Sequence, residues 1–424
     1  MADVEKPVGK MAFSPMRSLD DALAELLSHA SALLGTELVD TFDADRRVLA
    51  QDVVSSIDVP GFNNSAMDGY AVLASDCVQA GAVLQVSQRI AAGHFGGALS
   101  AGQAARIFTG APVPEGASAV VMQEDCTDLK NGSIQINTTP ERGQWIRRAG
   151  DDIQSGQKVL LKGELLTPTS IGLAASIGLH QLPVVQRPRV ALFSTGDELV
   201  MPGAVAPQDM PRGAIYNSNR FFLRALLLRA GCEVTDLGIV PDDFDAIVRA
   251  LQTAALAHDL ILTSGGVSVG EEDHIKPAVQ HLGSLDLWSI SMKPGKPFAY
   301  GQLTKPEGGS AHFLGLPGNP VSSFATFLLL VKPFLAKLQG QTNITGATYS
   351  IAVRADFTVA KADKRREFLR AKRNVQGGLD LYANQSSGVL TSVVWADGLV
   401  DKPAGSTIAQ GDVVCFLPFS DLLA

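Results

Sequence analysis

The sequence predicts a multidomain α/β protein centred on an open, mainly parallel α/β/α sandwich, in which helices cover both faces of the sheet. Two features lead to this prediction. The chain has 424 residues, 46% of them hydrophobic, so it can bury several cores. Between residues 187 and 340 short apolar runs alternate with helical patterns, as expected for a parallel sheet with crossover helices.

The N-terminal part of the chain predicts two helices separated by a β-rich stretch. Ser18 is placed to cap the first helix, in which apolar residues from Leu19 to Leu34 recur at a helical period. Between residues 61 and 149 short strands alternate with glycine and proline, and Asn131-Gly132 is typical of a hairpin turn. We expect this stretch to be an inserted β-rich domain. The second helix is predicted from Pro168 to Gly178, with proline at its start.

The alternation of strands and helices begins at Arg187. Asn217, Ser218 and Asn219 offer caps for a helix that runs through Ala230. The other expected elements are the strands Val190–Phe193, Glu233–Leu237, Leu260–Leu262 and Phe313–Leu316, and the helices Phe244–Ala257, His274–Leu282 and Pro320–Leu338.

The last segment, from about residue 345, changes to a two-residue period. Apolar residues from Ile351 to Val359 alternate with polar ones, which predicts a half-buried strand. Gly377-Gly378 and Gly411-Asp412 supply turns. We expect a small β-barrel or sandwich here.

Composition and charge exclude several functional classes. The formal net charge of −8 argues against a general nucleic-acid binder. The four cysteines are far apart, which argues against a zinc site or a disulfide framework. The apolar stretch Phe324–Val331 is too short to span a bilayer, and the N-terminus lacks the apolar core of a secretory signal. The expectation is a cytoplasmic protein that binds neither membranes nor nucleic acid.

Three loops leave the carboxyl ends of predicted parallel strands, where ligands of such sheets bind. Each combines glycine with hydroxyl, amide or acidic groups, and they are Ser194–Glu198, Thr263–Asp273 and Leu316–Pro320. A tight strand-to-helix turn explains any one of them alone. Three loops on the same edge predict instead that they share one crevice.

The loop Thr263–Asp273 indicates the kind of ligand. Its glycines leave backbone N–H groups free to bind an anion such as phosphate. The carboxylates at its end, Glu271, Glu272 and Asp273, would repel that anion unless a cation lay between them. It is not a Walker loop, because Glu271 and Glu272 stand where that motif needs lysine and a hydroxyl residue. The loop therefore predicts a phosphate-bearing ligand held through a divalent metal.

Further charged residues lie in constrained or basic segments. Lys293 and Lys296 are fixed by two neighbouring prolines, which suits anion binding, although a charged surface turn is the alternative. The string Pro60–Tyr70 embeds a single acid, Asp68, for which turn chemistry is the alternative. The run Lys361–Arg373 holds seven cations and is typical of a solvated hairpin.

Five strings in this order resemble the molybdopterin molybdenumtransferases, the family of the bacterial MoeA proteins and the C-terminal part of gephyrin. They are Asn64–Ala71, Ser194–Leu199, Ser264–Gly270, Lys293–Pro297 and Gly315–Pro320. The resemblance extends from the Ser18 helix to the last segment. Asn63, Asp151 and His274 depart from residues that are frequent in the family.

The resemblance implies an elongated homodimer whose active site is shared between subunits. Each subunit would hold a discontinuous helical and β base domain at 14–60 and 150–186, the inserted β-rich domain at 61–149, a molybdopterin-binding α/β domain at 187–340, and a C-terminal β-barrel at 345–424. Transient contact with molybdopterin adenylyltransferase and with molybdoenzyme maturation factors is also implied.

The resemblance further implies insertion of molybdate into the dithiolene of adenylylated molybdopterin, with Mg²⁺-dependent release of AMP. The catalytic residues would be Asp68, Asp152, Glu198, Asp273, Lys293 and Lys296, with Asp68, Glu198 and Asp273 as metal ligands. The substrate-binding residues would be Thr109, Ser194, Thr195, Gly196, Ser264, Gly265, Gly266, Ser268, Gly270, Pro317, Gly318, Asn319, Pro320, Arg365 and Arg370. Two alternatives stay open: a molybdopterin adenylyltransferase, which the α/β domain resembles, and a scaffold that binds molybdopterin without chemistry.

Overall fold

The structure is a computed structural model that describes residues 16–33, 35–267, 274–344 and 350–423. The helices are α1 (Leu19–His29), α2 (Pro168–Ser176), α3 (Asn219–Arg229), α4 (Phe244–Ala257), α5 (Ile275–Leu282), α6 (Pro320–Thr326), α7 (Lys332–Leu338), α8 (Thr391–Trp395) and α9 (Phe419–Leu422). Short 3₁₀ turns lie at Thr41–Asp43, Ala74–Asp76, Gln123–Asp125 and Pro207–Asp209.

The strands fall into several sheets. In chain order they are β1 (Thr36–Asp40), β2 (Val53–Val54), β3 (Asn64–Ser65), β4 (Gly69–Val72), β5 (Ala82–Ile90), β6 (Gln103–Ile107), β7 (Ala119–Met122), β8 (Cys126–Asp128), β9 (Ser133–Ile136), β10 (Ile146–Arg147), β11 (Lys158–Leu160), β12 (Gln181–Val185), β13 (Arg189–Thr195), β14 (Leu199–Val200), β15 (Ile215–Tyr216), β16 (Glu233–Val240), β17 (Leu260–Ser264), β18 (Gly283–Ser289), β19 (Met292–Lys293), β20 (Pro297–Thr304), β21 (Ser310–Leu316), β22 (Ile351–Arg354), β23 (Arg366–Arg373), β24 (Leu379–Leu381), β25 (Gly398–Lys402) and β26 (Val413–Pro418).

Helix α1 begins where the sequence predicts, because the Ser18 hydroxyl accepts a hydrogen bond from the Asp21 amide at 3.0 Å. It ends at His29, earlier than the apolar run to Leu34 suggests, and Leu34 lies outside the described residues. Its buried side chains Leu19 and Leu26 pack in the core of the α/β sheet. The predicted base domain therefore begins with a helix that packs on the α/β sheet.

Strands from both sides of the β-rich stretch pair with each other. β1 is antiparallel to β12, and β2 is antiparallel to β11. A separate core that includes Leu49, Leu160 and Leu182 fills the space beside them. Helix α2, which starts at Pro168 as predicted and is capped by the Thr167 hydroxyl, adds Ala174 to that core.

The β-rich stretch forms its own six-stranded sheet in the order β7-β4-β6-β5-β9-β8. The hairpin predicted at Asn131-Gly132 is confirmed, because β8 and β9 are antiparallel on either side of it. Gly69 lies so close to the Val121 carbonyl that no larger residue fits there without movement.

The α/β sheet has the order β16-β13-β17-β21-β20-β18. The first four strands are mutually parallel, β20 is antiparallel to them, and β18 at the edge is antiparallel to β20. Helices cover both faces: Val190 and Leu192 share a core with α1 and α3, whereas Ala191 and Phe193 share one with α4 and α5. The expected alternation of strands and helices did not include β18, which directly follows α5, or β20, which forms an antiparallel hairpin with β21 without a helix between them.

The predicted helix Pro320–Leu338 is continuous through α6, a π-helical turn at Phe327–Val331 and α7. It is long and apolar enough to cross a membrane, yet 83% of its most apolar window is buried inside the protein. Its side chains Leu330 and Phe334 lie in the same core as α1 and α3. The helix is thus the central helix of the α/β core.

The C-terminal segment forms a curled sheet with the order β19-β23-β25-β26-β22. Strand β24 pairs with β23 on the edge opposite β25, the same edge as β19. A bridge between Ala355 and Leu379 joins the end of β22 to β24. Strand β19 comes from the α/β part of the chain and lies parallel to β23. The two regions therefore share a backbone ladder.

We predict that Leu26→Ala lowers the free energy of unfolding by about 2–5 kcal/mol, since it opens a cavity in the core shared by α1 and the sheet. The control is Leu38→Ala on the exposed face of β1, which should change it little. Urea unfolding followed by tryptophan fluorescence, to which the buried Trp288 contributes, measures both. Equal effects of the two variants would contradict the packing of α1 described above.

Candidate active site

The three loops predicted to meet at one sheet edge border a single crevice of about 850 Å³. They follow β13, β17 and β21, which are adjacent and parallel, so the loops emerge side by side. Of the predicted substrate-binding residues, those that line the crevice are Thr195, Gly196, Gly265, Gly266, Ser264, Pro317, Gly318, Asn319 and Pro320. Ser194 is buried directly before them.

Glycine allows the three loops to approach one another. Gly265 has φ +99°, and a Cβ atom there would lie 3.3 Å from the Thr195 carbonyl oxygen of the first loop. A Cβ atom on Gly318 of the third loop would lie 3.8 Å from the Gly265 Cα. The Gly265 amide also donates to the Leu316 carbonyl at 3.0 Å. Side chains are thus absent where the three backbones meet.

Asn219 joins two of these loops. Its side-chain amide donates to the Ser264 hydroxyl at 2.8 Å and to the Gly318 carbonyl at 2.7 Å. Of the three residues that the sequence offered as caps, Asn217 supplies a capping bond, because its side-chain oxygen accepts from the Arg220 amide at 3.2 Å, whereas Asn219 is the first residue of the helix. Asn219 lines the crevice and was missed as a site residue.

Among the described residues, two carboxylates line the crevice, those of Glu198 and Asp242. Glu198 is exposed, and its backbone carbonyl accepts from the Ile215 amide at 2.7 Å beside the short β14–β15 pair. Asp242 was not predicted, although it follows the carboxyl end of β16, where the rule that found the other loops also applies. Carboxylate oxygens are the donors that hard divalent cations prefer.

Several predicted residues of the acidic loop lie outside the described residues: Ser268, Gly270 and Asp273. In the part of the chain that the structure describes, no group of three or more His, Cys, Asp or Glu side chains is placed to hold a metal ion. Glu198 and Asp242 nevertheless fit a hard cation in the chemistry of their oxygen donors.

Two of the predicted site residues, Asp68 and Thr109, are in contact with each other in the inserted β-rich stretch. The Thr109 amide and hydroxyl both donate to one Asp68 oxygen, each at 2.8 Å. These two hydrogen bonds lower the pKa of Asp68 below its ordinary value, and the one from the Thr109 backbone amide has the larger effect. Neither residue is among the crevice lining of the described chain.

Asp152 is exposed, and its amide donates to the Val59 carbonyl at 3.0 Å. It too is absent from the described crevice lining. Two residues that depart from the family pattern have local roles near it. The Asn63 side-chain oxygen accepts from the Ala149 amide at 3.0 Å, and an Asp151 oxygen accepts from the Arg148 amide at 2.7 Å.

Lys293 and Lys296 lie on either side of the short turn Pro294-Gly295. Pro297, the residue after Lys296, lines the crevice. The Lys293 ammonium donates to Glu367 at 2.9 Å and to Asp363 at 3.4 Å. The bond to Glu367 is the main cause that raises the pKa of Lys293. Lys296 is exposed, and its carbonyl accepts from the Ile290 amide. Neither ammonium is among the described lining of the crevice.

The two predicted arginines differ in their surroundings. Arg365 pairs with Asp363, to which its Nε donates at 3.3 Å. Arg370 is 1% exposed and donates to the Ser392 hydroxyl and to the carbonyls of Phe368 and Ser386. Burial lowers the pKa of Arg370 to about 10.

The segment that Arg370 holds reaches the crevice. Its Nη2 donates to the Ser386 carbonyl at 3.3 Å, and the next residue, Ser387, accepts from the Val321 amide at 3.0 Å. Gly388 then lines the crevice. The C-terminal region therefore contributes to the wall of the crevice through the turn that follows β24.

Three family models match successive parts of the chain. The "MoeA N-terminal region (domain I and II)" matches residues 17–178, and the "Probable molybdopterin binding domain" matches residues 191–337. The "MoeA C-terminal region (domain IV)" matches residues 352–419. The matches follow one another along nearly the whole chain.

Relatives and solved structures agree with these matches. A molybdopterin molybdenumtransferase of Haemophilus influenzae is 38% identical over 96% of this chain and 100% of its own length. A protein of the same name from Nostoc sp. is 35% identical over 96% of this chain and 94% of its own. The crystal structure of a molybdopterin biosynthesis MoeA protein from Pyrococcus horikoshii OT3 superposes with a TM-score of 0.82 at 28% identity, covering 95% of this chain and 99% of that one.

We predict that Thr109→Ala raises the pKa of Asp68, because it removes one of the two donors to the carboxylate. The stability that these bonds give is present above the ordinary pKa of Asp68 and is lost as the pH falls through its lower folded-state pKa. Carboxyl ¹³C NMR titration measures the shift, with Thr109→Ser as the control that keeps the hydroxyl. An unchanged pKa in the alanine variant would show that the hydroxyl bond has no weight.

Proposed function

The chain belongs to the molybdopterin molybdenumtransferase family, and we propose that its crevice binds adenylylated molybdopterin. The protein is an enzyme of molybdenum cofactor biosynthesis that transfers molybdenum to molybdopterin. The crevice where three glycine-bearing loops meet is the observation that carries the proposal. The names of its relatives favour this transferase over the adenylyltransferase.

The proposed reaction inserts molybdate into the dithiolene of the substrate and releases AMP. Cleavage of a phosphoanhydride needs charge neutralisation and positioning more than a nucleophilic side chain. The absence of a side chain at Gly265 lets a phosphate approach the backbone N–H groups beside it closely. At Gly196 the Glu198 carboxylate lies 2.6 Å from the position of a Cβ atom, so a cation is needed between that carboxylate and the phosphate. Asn219 keeps two of the loops in register for that contact.

We propose Mg²⁺ as the cation that accompanies the phosphates. Bound there, it would neutralise negative charge on the phosphoanhydride. Glu198 would hold it together with Asp273 and the partner subunit's Asp68. The carboxylates that line the crevice, Glu198 and Asp242, support the proposal by their donor chemistry.

For molybdate we propose binding near Lys293, Lys296, Arg365 and Arg370. Molybdate is a dianion and needs cations or N–H donors. Arg370 supports this idea, since its described hydrogen bonds go to neutral oxygens and the segment it holds leads to the crevice. Because none of these bonds is to a carboxylate, the buried positive charge of Arg370 favours the binding of an anion nearby.

We also propose that two subunits complete each site. Three residues lie in strings that resemble the family's motifs, yet they are not among the described lining of the crevice of the same chain: Asp68, Thr109 and Asp152. In a two-fold symmetric dimer the inserted stretch of one protomer can supply them to its partner. The proposal places the enzyme in the cytoplasm, with transient contacts to the adenylyltransferase that supplies the substrate and to molybdoenzyme maturation factors.

We predict that Glu198→Gln slows molybdate-dependent AMP release roughly 100-fold, because it removes a carboxylate from the crevice without changing its shape. The assay supplies adenylylated molybdopterin, Mg²⁺ and molybdate, and follows AMP. Asp197→Asn is the matched control, a neighbouring exposed acid that does not line the described crevice.

The same assay tests the proposed function. A folded wild-type protein that releases no AMP when molybdate is added would rule it out. Release at the wild-type rate by Glu198→Gln would leave the function intact and remove Glu198 from the metal site.

We predict that two inactive variants restore activity when their subunits are mixed. Asp68→Ala and Glu198→Gln, unfolded and refolded together, should regain roughly a quarter of the wild-type rate, because random pairing makes half of the dimers mixed and gives each of these one intact site. The control pair is Glu198→Gln with Asn219→Ala, two changes in the same crevice, which leaves no intact site. No gain in the first mixture, with dimers present, would mean that each site belongs to one chain.

A further inference from the structure

A row of three charged side chains crosses the C-terminal sheet. In the strand register Lys293 of β19 lies opposite Glu367 of β23, and Glu367 lies opposite Lys402 of β25. Glu367 uses one oxygen for Lys293 at 2.9 Å and the other for Lys402 at 2.7 Å. A single carboxylate is thus shared by two lysines on its two neighbouring strands.

Burial differs sharply along this row. The Lys402 side chain is 0% exposed and Glu367 is 7% exposed, whereas Lys293 is 43% exposed. Burial would raise the pKa of Glu367, but its hydrogen bonds to Lys402 and Lys293 together lower it. The carboxylate is therefore ionised, and the row carries two cations for one anion, with only the Lys293 end open to solvent.

The surroundings do not cancel this charge. Asp363, which also contacts Lys293, is paired with Arg365. Arg366 points to the opposite face of β23, as successive residues of a strand do, and has carboxylate partners of its own in Asp401 and Asp20. Without Lys402, Glu367 would balance Lys293 and the row would be neutral.

We propose that Lys402 is a positioning residue for the oxyanion substrate: it neutralises one side of Glu367, so that Lys293 keeps a net positive charge for molybdate. Lys402 cannot touch the substrate, because its side chain is fully buried, and it acts through Glu367 and Lys293. The inference rests on the proposed function, because it takes Lys293 to be part of the surroundings of molybdate.

The test compares charge with structure. Lys402→Met keeps an unbranched side chain of similar size without the charge and leaves Glu367 paired with Lys293. We expect this variant to bind molybdate about tenfold more weakly, as loss of one nearby charge predicts. The double variant Lys402→Met, Glu367→Gln returns the row to one net positive charge. Its affinity should recover to within about threefold of the wild type.

Equilibrium dialysis of the full chain against molybdate alone, at low ionic strength, measures the affinity. Lys364→Met is the matched control. This lysine lies just before β23, close in sequence to Glu367, but it is exposed, so its charge is screened and its loss should change binding less than about twofold. Thermal unfolding confirms that each variant is folded. The Michaelis constant for molybdate should rise in Lys402→Met while kcat for AMP release stays near the wild-type value.

The outcomes separate the two proposals. Wild-type affinity in Lys402→Met, or a double variant as weak as the single one, overturns the role of Lys402 and leaves the enzyme assay untouched. No binding of molybdate by the wild type overturns it as well. If the binding pattern holds and AMP release does not depend on molybdate, the positioning role stands and the proposed reaction fails.

Discussion

The close approach of three loop backbones at one sheet edge is the constraint on which the site depends. Parallel strands β13, β17 and β21 deliver the loops to the same edge, and glycine lets them meet there without side chains between them. Asn219, at the start of α3, then fixes two of them by two hydrogen bonds. A parallel sheet, a turn residue without Cβ and one amide are together enough to bring the three loops together at the crevice.

The part of the crevice wall at Pro297 depends on contacts between residues that are far apart in the sequence. The turn from Lys293 to Pro297 reaches the crevice, but its position is set by pairing with β23 and by the charges of Glu367 and Lys402. Buried ion pairs contribute little net stability in general, because desolvation offsets their attraction. Their value here is geometric, since they keep a lysine in a defined place and charge state.

The sequence predicted those parts of the molecule whose signals are local. Helix α4 has the predicted bounds, because Asp243 caps it and its apolar residues recur at the helical period. The three loops were found because each directly follows an apolar strand. Glu367 was missed as the partner of Lys293, since 74 residues separate them and no local pattern encodes a register between sheets. Asp242 was missed although the same strand-end rule predicts it.

Strand β19 has a mechanical consequence for the molecule. The chain leaves the α/β sheet after β18, spends two residues as a strand of the C-terminal sheet, and returns as β20. Fraying of the C-terminal sheet would therefore displace the turn that leads to Pro297 at the border of the crevice. The two regions should exchange their amide hydrogens as one cooperative unit, so that any lasting disturbance of the C-terminal sheet also opens the crevice end of the α/β sheet.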